Sequence, residues 1–119
     1  MTKYKLEVTE EQLKVLSKAC EFYARIAMGQ FNEIIWNFLV PNVKAKDFCE
    51  RRDIAQNFLL KVREQIYPEL HGIGHSYGIG KFKDADMAFD IYQVARIHLG
   101  DARVPFSFYE LPVCKKIEE

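Results

Sequence analysis

An apolar side chain recurs at every third or fourth position over the first third of this chain. The positions that carry this stripe are Leu13, Leu16, Cys20, Tyr23, Ala27, Phe31, Ile34 and Phe38. Their spacing predicts one helix from Glu10 to about Leu39. A straight helix of that length would measure ~45 Å, whereas a domain of this size has a radius of gyration of roughly 13–14 Å. We therefore expect the helix to bend at Gly29 and the protein to be a homo-oligomer.

Two more helices are predicted further along. Residues 41–46 form a linker, after which Asp47 can cap a second helix that Pro68 ends. The apolar positions of this helix are Phe48, Ile54, Ala55, Phe58, Leu59, Val62 and Ile66. A third helix begins at Asp84 or Asp86 and stops at Gly100. Its expected buried face consists of Met87, Ile91, Val94, Ala95 and Leu99.

Both ends of the chain have the alternation of a strand. Apolar and charged residues alternate over residues 4–8, and Phe106 and Phe108 flank a serine. Because isolated strands are unstable, we expect the two segments to pair as a minor ribbon. Thr9 and Gln12 have the spacing of a capping box at the start of the first helix. The predicted fold is mainly α with a minor β part (α+β), as one domain over residues 1–119.

Composition excludes several classes of protein. Lysine plus arginine equals aspartate plus glutamate, 17 of each, so binding to bulk nucleic acid through phosphate attraction is not expected. The N-terminal residues lack the apolar region of a signal peptide, and no apolar run is long enough to span a bilayer. The three cysteines contain no C-x-x-C pair, which argues against a disulfide framework or a zinc site. We expect a soluble, cytoplasmic protein without a cofactor.

The segment "HGIGHSYGIGK" at residues 71–81 contains the G-x-S-x-G pattern of a hydrolase nucleophile elbow, centred on Ser76. An elbow requires a strand before the serine and a helix directly after it, and here a helix precedes it. Asp90 and His98, the nominal partners in a triad, are eight residues apart on one predicted helix, ~12 Å along its axis. Glycines also separate His71 from His75, which removes the helical face on which such spacing binds a metal. The sequence predicts no catalytic and no metal-binding residue.

The same glycines favour a loop that binds an anion. Glycine allows backbone N–H groups to approach a ligand closely, and successive N–H groups form an anion-binding nest. Lys81 follows the loop, Tyr77 offers a ring for stacking, and arginines on two helices can clamp phosphate or carboxylate. The residues of this candidate ligand site are Arg25, Gln30, His75, Ser76, Tyr77, Gly78, Lys81, Tyr92 and Arg96. The alternatives are a simple tight turn for the glycines and a solvated helix surface for the arginines.

Three segments together resemble a group of small proteins encoded by tailed phages and prophages. They are "YARIAMGQFNEI" at 23–34, "SYGIG" at 76–80 and "DMAFDIYQVARIHL" at 86–99, and the tail "PFSFYELP" at 105–112 is also similar. The resemblance implies a phage origin and an accessory role in the cytoplasm of an infected bacterium. It brings no catalytic residue.

A small phage protein without catalytic groups suggests a binder. By analogy with phage proteins that sequester immune signals, we expect this protein to bind a nucleotide-type signal and to keep it from the host effector. The alternative is a protein-interaction inhibitor of a host defence or metabolic enzyme. A third hypothesis, which the pattern favours less, is a small serine hydrolase that uses Ser76.

Overall fold

The computed structural model describes residues 1–72, 74–100 and 109–118. The described part is mainly helical, as predicted from the sequence. Its helical segments are α1 (Glu10–Ala27), a π-helix (Ile35–Leu39), α2 (Val40–Asn42), α3 (Ala45–Ile66) and α4 (Lys83–His98). None of the described helices has the length and hydropathy needed to cross a bilayer.

The first predicted helix is interrupted where a bend was expected. Helix α1 ends at Ala27, and Gly29 has φ +91°, outside the right-handed helical region. A Cβ built on Gly29 would lie 2.6 Å from Cδ1 of Leu70. Gly29 therefore ends one helix where the chain passes close to the Leu70 side chain, and the expectation of one continuous bent helix to Leu39 is wrong.

The chain is helical again before and after Pro41, so the predicted linker at 41–46 is shorter than expected. In the π-helix the amide of Val40 donates to the carbonyl oxygen of Ile35, five residues back. Pro41 has no amide hydrogen and lies in the first positions of α2. A proline is tolerated there because the first amides of a helix have no intrahelical acceptor.

Helix α3 begins three residues earlier than predicted. Lys44 has the extended conformation of a residue that precedes a helix, and Ala45 is the first helical residue. Asp47 lies within the first turn, where its negative charge favours the positive end of the helix dipole. The prediction that Asp47 caps α3 is wrong. Helix α3 ends at Ile66, before Pro68, as predicted.

The predicted capping box is confirmed at the start of α1. The amide of Thr9 donates to Oε1 of Gln12 at 2.8 Å, and the amide of Gln12 donates to Oγ1 of Thr9 at 3.1 Å. The predicted ribbon is not found in the part of the chain that the structure describes. Residues 4–8 have no regular secondary structure, and Phe106 and Phe108 lie outside the described residues. Alternation alone did not make a strand at 4–8, where Tyr4 and Leu6 are exposed.

The chain divides into two compact units, Met1–Ala24 with Lys83–Glu119, and Arg25–Phe82. In the first unit α4 turns a partly polar face inward. Ala95 is buried as expected, but Met87 is exposed. Asp86, Asp90 and Gln93 are buried in its place, and all three take part in interactions within the fold. The expectation of a single domain over residues 1–119 stays a prediction.

The second unit, Arg25–Phe82, has its buried apolar residues in the segment after α1. Met28, Phe31 and Ile35 are buried there. Helix α3 contributes half-buried residues such as Ala55 and Leu59. The other apolar residues on α3 that the sequence singled out, except the half-buried Phe48, are exposed: Ile54, Phe58, Val62 and Ile66.

Candidate functional site

The glycine-rich loop lies in the second unit, between α3 and α4, and an aromatic cluster anchors it. The hydroxyl of Tyr67 donates to the carbonyl oxygen of Ala27 at 2.6 Å. The Tyr67 ring lies 5.4 Å from the ring of Tyr77 and 5.8 Å from that of Phe82, between centroids. Nζ of Lys81 is 5.3 Å from the centroid of Tyr77. Tyr77 and Lys81, both assigned to the ligand site from sequence, thus contact each other at this cluster.

A buried arginine on α3 donates hydrogen bonds to the loop. Arg63 is 5% exposed, and its guanidinium donates to the carbonyl oxygen of His75 at 3.0 Å. It also donates to the carbonyl oxygen of Gly72. In addition, the amide of Tyr77 donates to the carbonyl oxygen of Met28 at 2.8 Å. The loop is therefore fixed mainly through its carbonyl groups.

A cavity of about 240 Å³ opens beside the loop, within the second unit. Its lining combines the segment after α1, helix α3 and the loop: Gly29, Gln30, Phe31, Asn32, Leu59, Leu60, Arg63, Gly74, His75 and Ser76. Three residues predicted from sequence, Gln30, His75 and Ser76, are therefore brought together in one wall. The cavity has an apolar side from Leu59 and Leu60 and a polar side from amide and hydroxyl groups.

Hydrogen bonds connect three of the predicted residues. Nη1 of Arg25 donates to Oε1 of Gln30 at 2.9 Å, and Nε2 of Gln30 donates to Oγ of Ser76 at 3.5 Å, the long end of hydrogen-bond distance. Arg25 thus orients the Gln30 amide, so that its NH₂ group is directed towards the loop. A planar amide held at one end is a defined donor for a ligand oxygen.

The electrostatics of the cavity are set by Arg63. Arg63 forms no ion pair with a carboxylate of the described residues, and its buried Nε has no hydrogen-bond partner among them. The amides of Gly74, His75 and Ser76 likewise donate to no acceptor within the described ranges. The residues that line the cavity therefore carry a positive charge and backbone N–H groups that have no acceptor within the described ranges. Both features favour an anion.

The remaining predicted residues are not among those that line the cavity. Tyr92 and Arg96 belong to the first unit, on α4, where Nη1 of Arg96 is 3.4 Å from the Tyr92 hydroxyl. The guanidinium carbon of Arg96 is also 5.0 Å from the Tyr92 ring centroid. Gly78 is not among the residues that line the cavity, and apart from its two chain neighbours no described residue has an atom within 4 Å of a Cβ built on it.

Ser76 lacks the surroundings of a nucleophile in the part of the chain that is described. Its hydroxyl contacts the NH₂ group of Gln30, which cannot accept a proton. Helix α3, rather than a strand, precedes the loop. Among the residues that the structure describes, no three His, Cys, Asp or Glu side chains form a group that could hold a metal ion.

Arg63 is the residue of this site that sequence reasoning missed. The signal for it was present in the spacing of α3. Ala55 and Leu59 were recognised as apolar positions, and steps of four residues continue this line to Arg63 and Tyr67. A charged residue on an otherwise inward line of a helix indicates a buried cation with a specific task.

No protein-family model, no curated protein and no solved structure matches this chain. The resemblance to small phage-encoded proteins stays a prediction.

Proposed function

We propose that this protein is a non-catalytic binder of a small anionic ligand of the nucleotide type, and that the cavity beside the glycine-rich loop is its binding site. The observation that carries the proposal is Arg63, a cation 5% exposed in the cavity wall. A buried charge is costly unless it is paired and hydrogen-bonded. Two carbonyl groups satisfy part of this guanidinium, and an anionic ligand supplies the missing negative charge.

The loop and the residues after α1 supply the direct contacts. The N–H groups of Gly74, His75 and Ser76 are the donors for phosphate oxygens. Gln30 adds a side-chain amide whose orientation Arg25 fixes. Arg63 attracts the ligand mainly through the electrostatic field of its positive charge, because its two terminal nitrogens already donate to the loop.

The size of the cavity limits what it encloses. At about 240 Å³ it is smaller than the ~300–1,000 Å³ typical of sites for drug-sized ligands. We expect a phosphate with its sugar to enter the cavity and a base to lie outside it. A ligand with two nucleotides would therefore leave a large part of its surface outside one copy of the site.

The proposed biological role is the sequestration of a nucleotide-type immune signal by a phage-encoded protein in the cytoplasm of its bacterial host. This role rests on the resemblance to phage proteins. The cavity bears only on the binding step, through the positive charge of Arg63 and the N–H groups of the loop.

Thermal stabilisation by a ligand panel tests this proposal. The panel contains inorganic phosphate, pyrophosphate, AMP, cyclic ADP-ribose and cyclic dinucleotides. A ligand that binds only the native state raises Tm with the logarithm of its concentration. We expect at least one phosphate-containing ligand to do so and to be released chemically unchanged on denaturation. A panel that leaves Tm unmoved, or a ligand returned as a hydrolysis product, contradicts the proposal.

Substitutions on α3 distinguish the effect of the buried Arg63 cation on ligand binding from the effect of the net charge of the protein. Arg63→Met and Lys61→Met each remove one positive charge from the same helix, but Lys61 is exposed and outside the cavity wall. We expect Lys61→Met to bind ligand as the unmodified protein does and Arg63→Met to bind at least tenfold more weakly. Arg63→Lys retains the positive charge but loses the planar guanidinium group that donates to two carbonyls, so we expect an intermediate affinity for the ligand. Equal ligand affinity of all three variants would show that Arg63 is not part of the binding site.

A protein-interaction inhibitor is the second candidate, and the π-helix favours it. Trp36 and Phe38 are 64% and 56% exposed there, and aromatic residues are enriched at protein interfaces. Trp36→Ala would then abolish the capture of a stoichiometric host protein and leave the binding of phosphate ligands intact. The opposite pattern favours the cavity.

A further inference from the structure

The outer face of α3 carries an apolar stripe that the second unit does not bury. Ile54, Phe58, Val62 and Ile66 follow each other at steps of four residues and are 51%, 63%, 49% and 55% exposed, respectively. The stripe is separate from the inward line of α3 that contains Arg63. Contiguous apolar residues exposed to this extent indicate an interaction surface rather than scattered surface residues.

We propose that this stripe binds the same stripe of a second copy of the chain, with the two α3 helices antiparallel and a twofold axis midway between Phe58 and Val62. Such an interface is isologous, so that each contact occurs twice. In this register Ile54 of one copy lies opposite Ile66 of the other. Phe58 likewise lies opposite Val62, so a large side chain meets a smaller one. Every apolar residue of the stripe then contacts an apolar residue of the second copy.

Two exposed charges at the ends of the stripe select the second copy as its occupant. Arg51 lies three residues before Ile54, and it is two helical turns from Phe58, on the side of α3 that carries the stripe. Glu69 lies three residues after Ile66, in the turn that follows the helix. Both side chains are exposed, and neither forms an ion pair with another side chain of the described residues.

The same charges select the antiparallel direction. The twofold arrangement brings Arg51 of each copy to the end of the contact where Glu69 of the other copy lies, which gives two attractive pairs. A parallel arrangement would place arginine against arginine and glutamate against glutamate, which is unfavourable. The antiparallel direction also brings opposite ends of the two helix dipoles together. The pairing of Arg51 with Glu69 therefore favours the antiparallel direction over the parallel one.

Lys61 lies beside the proposed axis, at the edge of the stripe. Its Nζ is 5.6 Å from the centroid of the Phe58 ring, so the aliphatic part of the side chain covers apolar surface. A lysine in this position can extend its ammonium group to solvent while its stem stays in the contact. The two Lys61 side chains therefore belong to the polar rim of the interface, where charges contribute little to affinity.

A charge-exchange experiment tests the register. Sedimentation velocity is measured for the full chain over concentrations from about 1 μM to about 1 mM. We expect the unmodified protein to dimerise. Arg51→Glu and Glu69→Arg each place like charges at both ends of the contact, so each should weaken dimerisation about tenfold. The double variant with both changes restores opposite charges and should recover most of the lost affinity. Phe58→Glu should abolish dimerisation.

Both substituted charges are exposed, so circular dichroism should show the same helix content in all variants. A monomer at every concentration would overturn the proposal and favour another occupant of the stripe. A dimer that Arg51→Glu and Phe58→Glu leave unchanged would place the interface on another surface. A double variant no better than the single variants would overturn the register. The proposal is independent of the cavity, since a monomeric variant can be assayed for ligand binding separately.

Discussion

The guanidinium of Arg63 donates to the carbonyl oxygen of His75, twelve residues along the chain, at 3.0 Å. This contact is one of those that fix which backbone groups of the glycine-rich loop are hydrogen-bonded within the protein. Because Arg63 binds the loop by the carbonyls of Gly72 and His75, the amides of Gly74 to Ser76 are left for other acceptors. Arg63 thus contributes both to the position of the loop and to the positive charge of the cavity beside it.

Gly29→Ala should destabilise the protein more than any other glycine substitution in the second unit. A Cβ at Gly29 would lie 2.6 Å from Leu70 Cδ1, and the residue has φ +91°. A positive φ and overpacking together are expected to lower the free energy of unfolding by about 2–4 kcal/mol. Urea denaturation followed by circular dichroism measures the change.

Gly78→Ala is the matched control for that experiment. Gly78 is not among the glycines with positive φ, and beyond its two chain neighbours the described residues place no atom within 4 Å of its built Cβ. Its replacement should change stability by less than about 0.5 kcal/mol. Equal losses for the two variants would show that the close approach at Gly29 does not determine the fold there.

Tyr67→Phe isolates one hydrogen bond between the loop and the end of α1. The substitution retains the aromatic contacts with Tyr77 and Phe82 but removes the hydroxyl that donates to the Ala27 carbonyl. We expect a loss of about 1 kcal/mol, since a part-buried carbonyl is left without its donor. Tyr77→Phe removes a hydroxyl that has no hydrogen-bond partner in the described part of the chain, and it should leave the midpoint of urea denaturation unchanged. If Tyr67→Phe is neutral as well, the Tyr67 hydroxyl does not anchor the loop.

Thr9→Ala should weaken the first turn of α1. It removes the side chain that accepts from the amide of Gln12, and loss of an N-cap costs about 1 kcal/mol. Hydrogen exchange at the first amides of α1 should accelerate, while exchange in α3 stays constant. Thr2→Ala, outside any helix, serves as the control. Unchanged exchange in Thr9→Ala would mean that the capping box contributes nothing measurable.

Cys20 and Cys49 should differ in reactivity towards iodoacetamide. Burial raises the pKa of the Cys20 thiol, so less of the reactive thiolate is present at a given pH, whereas Cys49 is exposed. Mass spectrometry of partly labelled protein at pH 8 should therefore find Cys49 modified before Cys20. The rate at Cys20 should rise as the pH is raised towards its pKa. Labelling of Cys20 as fast as Cys49 would contradict the burial of that side chain.

Local signals in the sequence were sufficient to predict that the chain is mainly helical and where some of its helices begin or end. The Thr9 and Gln12 pair, the proline after α3 and the position of Gly29 all act within a few residues of the chain. The predicted strand at residues 4–8 failed because alternation states only which side chains share a face. A strand also needs a partner, and nothing in the local sequence supplies one.

The site was harder to predict than the helices because it depends on contacts between distant segments. Glycine-rich composition located the loop, and Gln30, His75 and Ser76 do line the same cavity. Composition did not show which backbone groups would face inward, because that depends on Arg63 in the preceding helix. The exposure of Phe58 was missed for a similar reason: helical spacing identifies an apolar face without identifying what covers it.

Whether the cavity beside the loop binds an anion is tested most directly by titrating the ¹⁵N-labelled protein with pyrophosphate and with AMP. The titration is followed by amide chemical shifts. We expect saturable shifts at the amides of Gly74, His75 and Ser76 and at the side-chain amide of Gln30, all reduced in Arg63→Met. Shifts confined to surface lysines such as Lys115 and Lys116, or no saturable shift at the loop, would contradict this expectation.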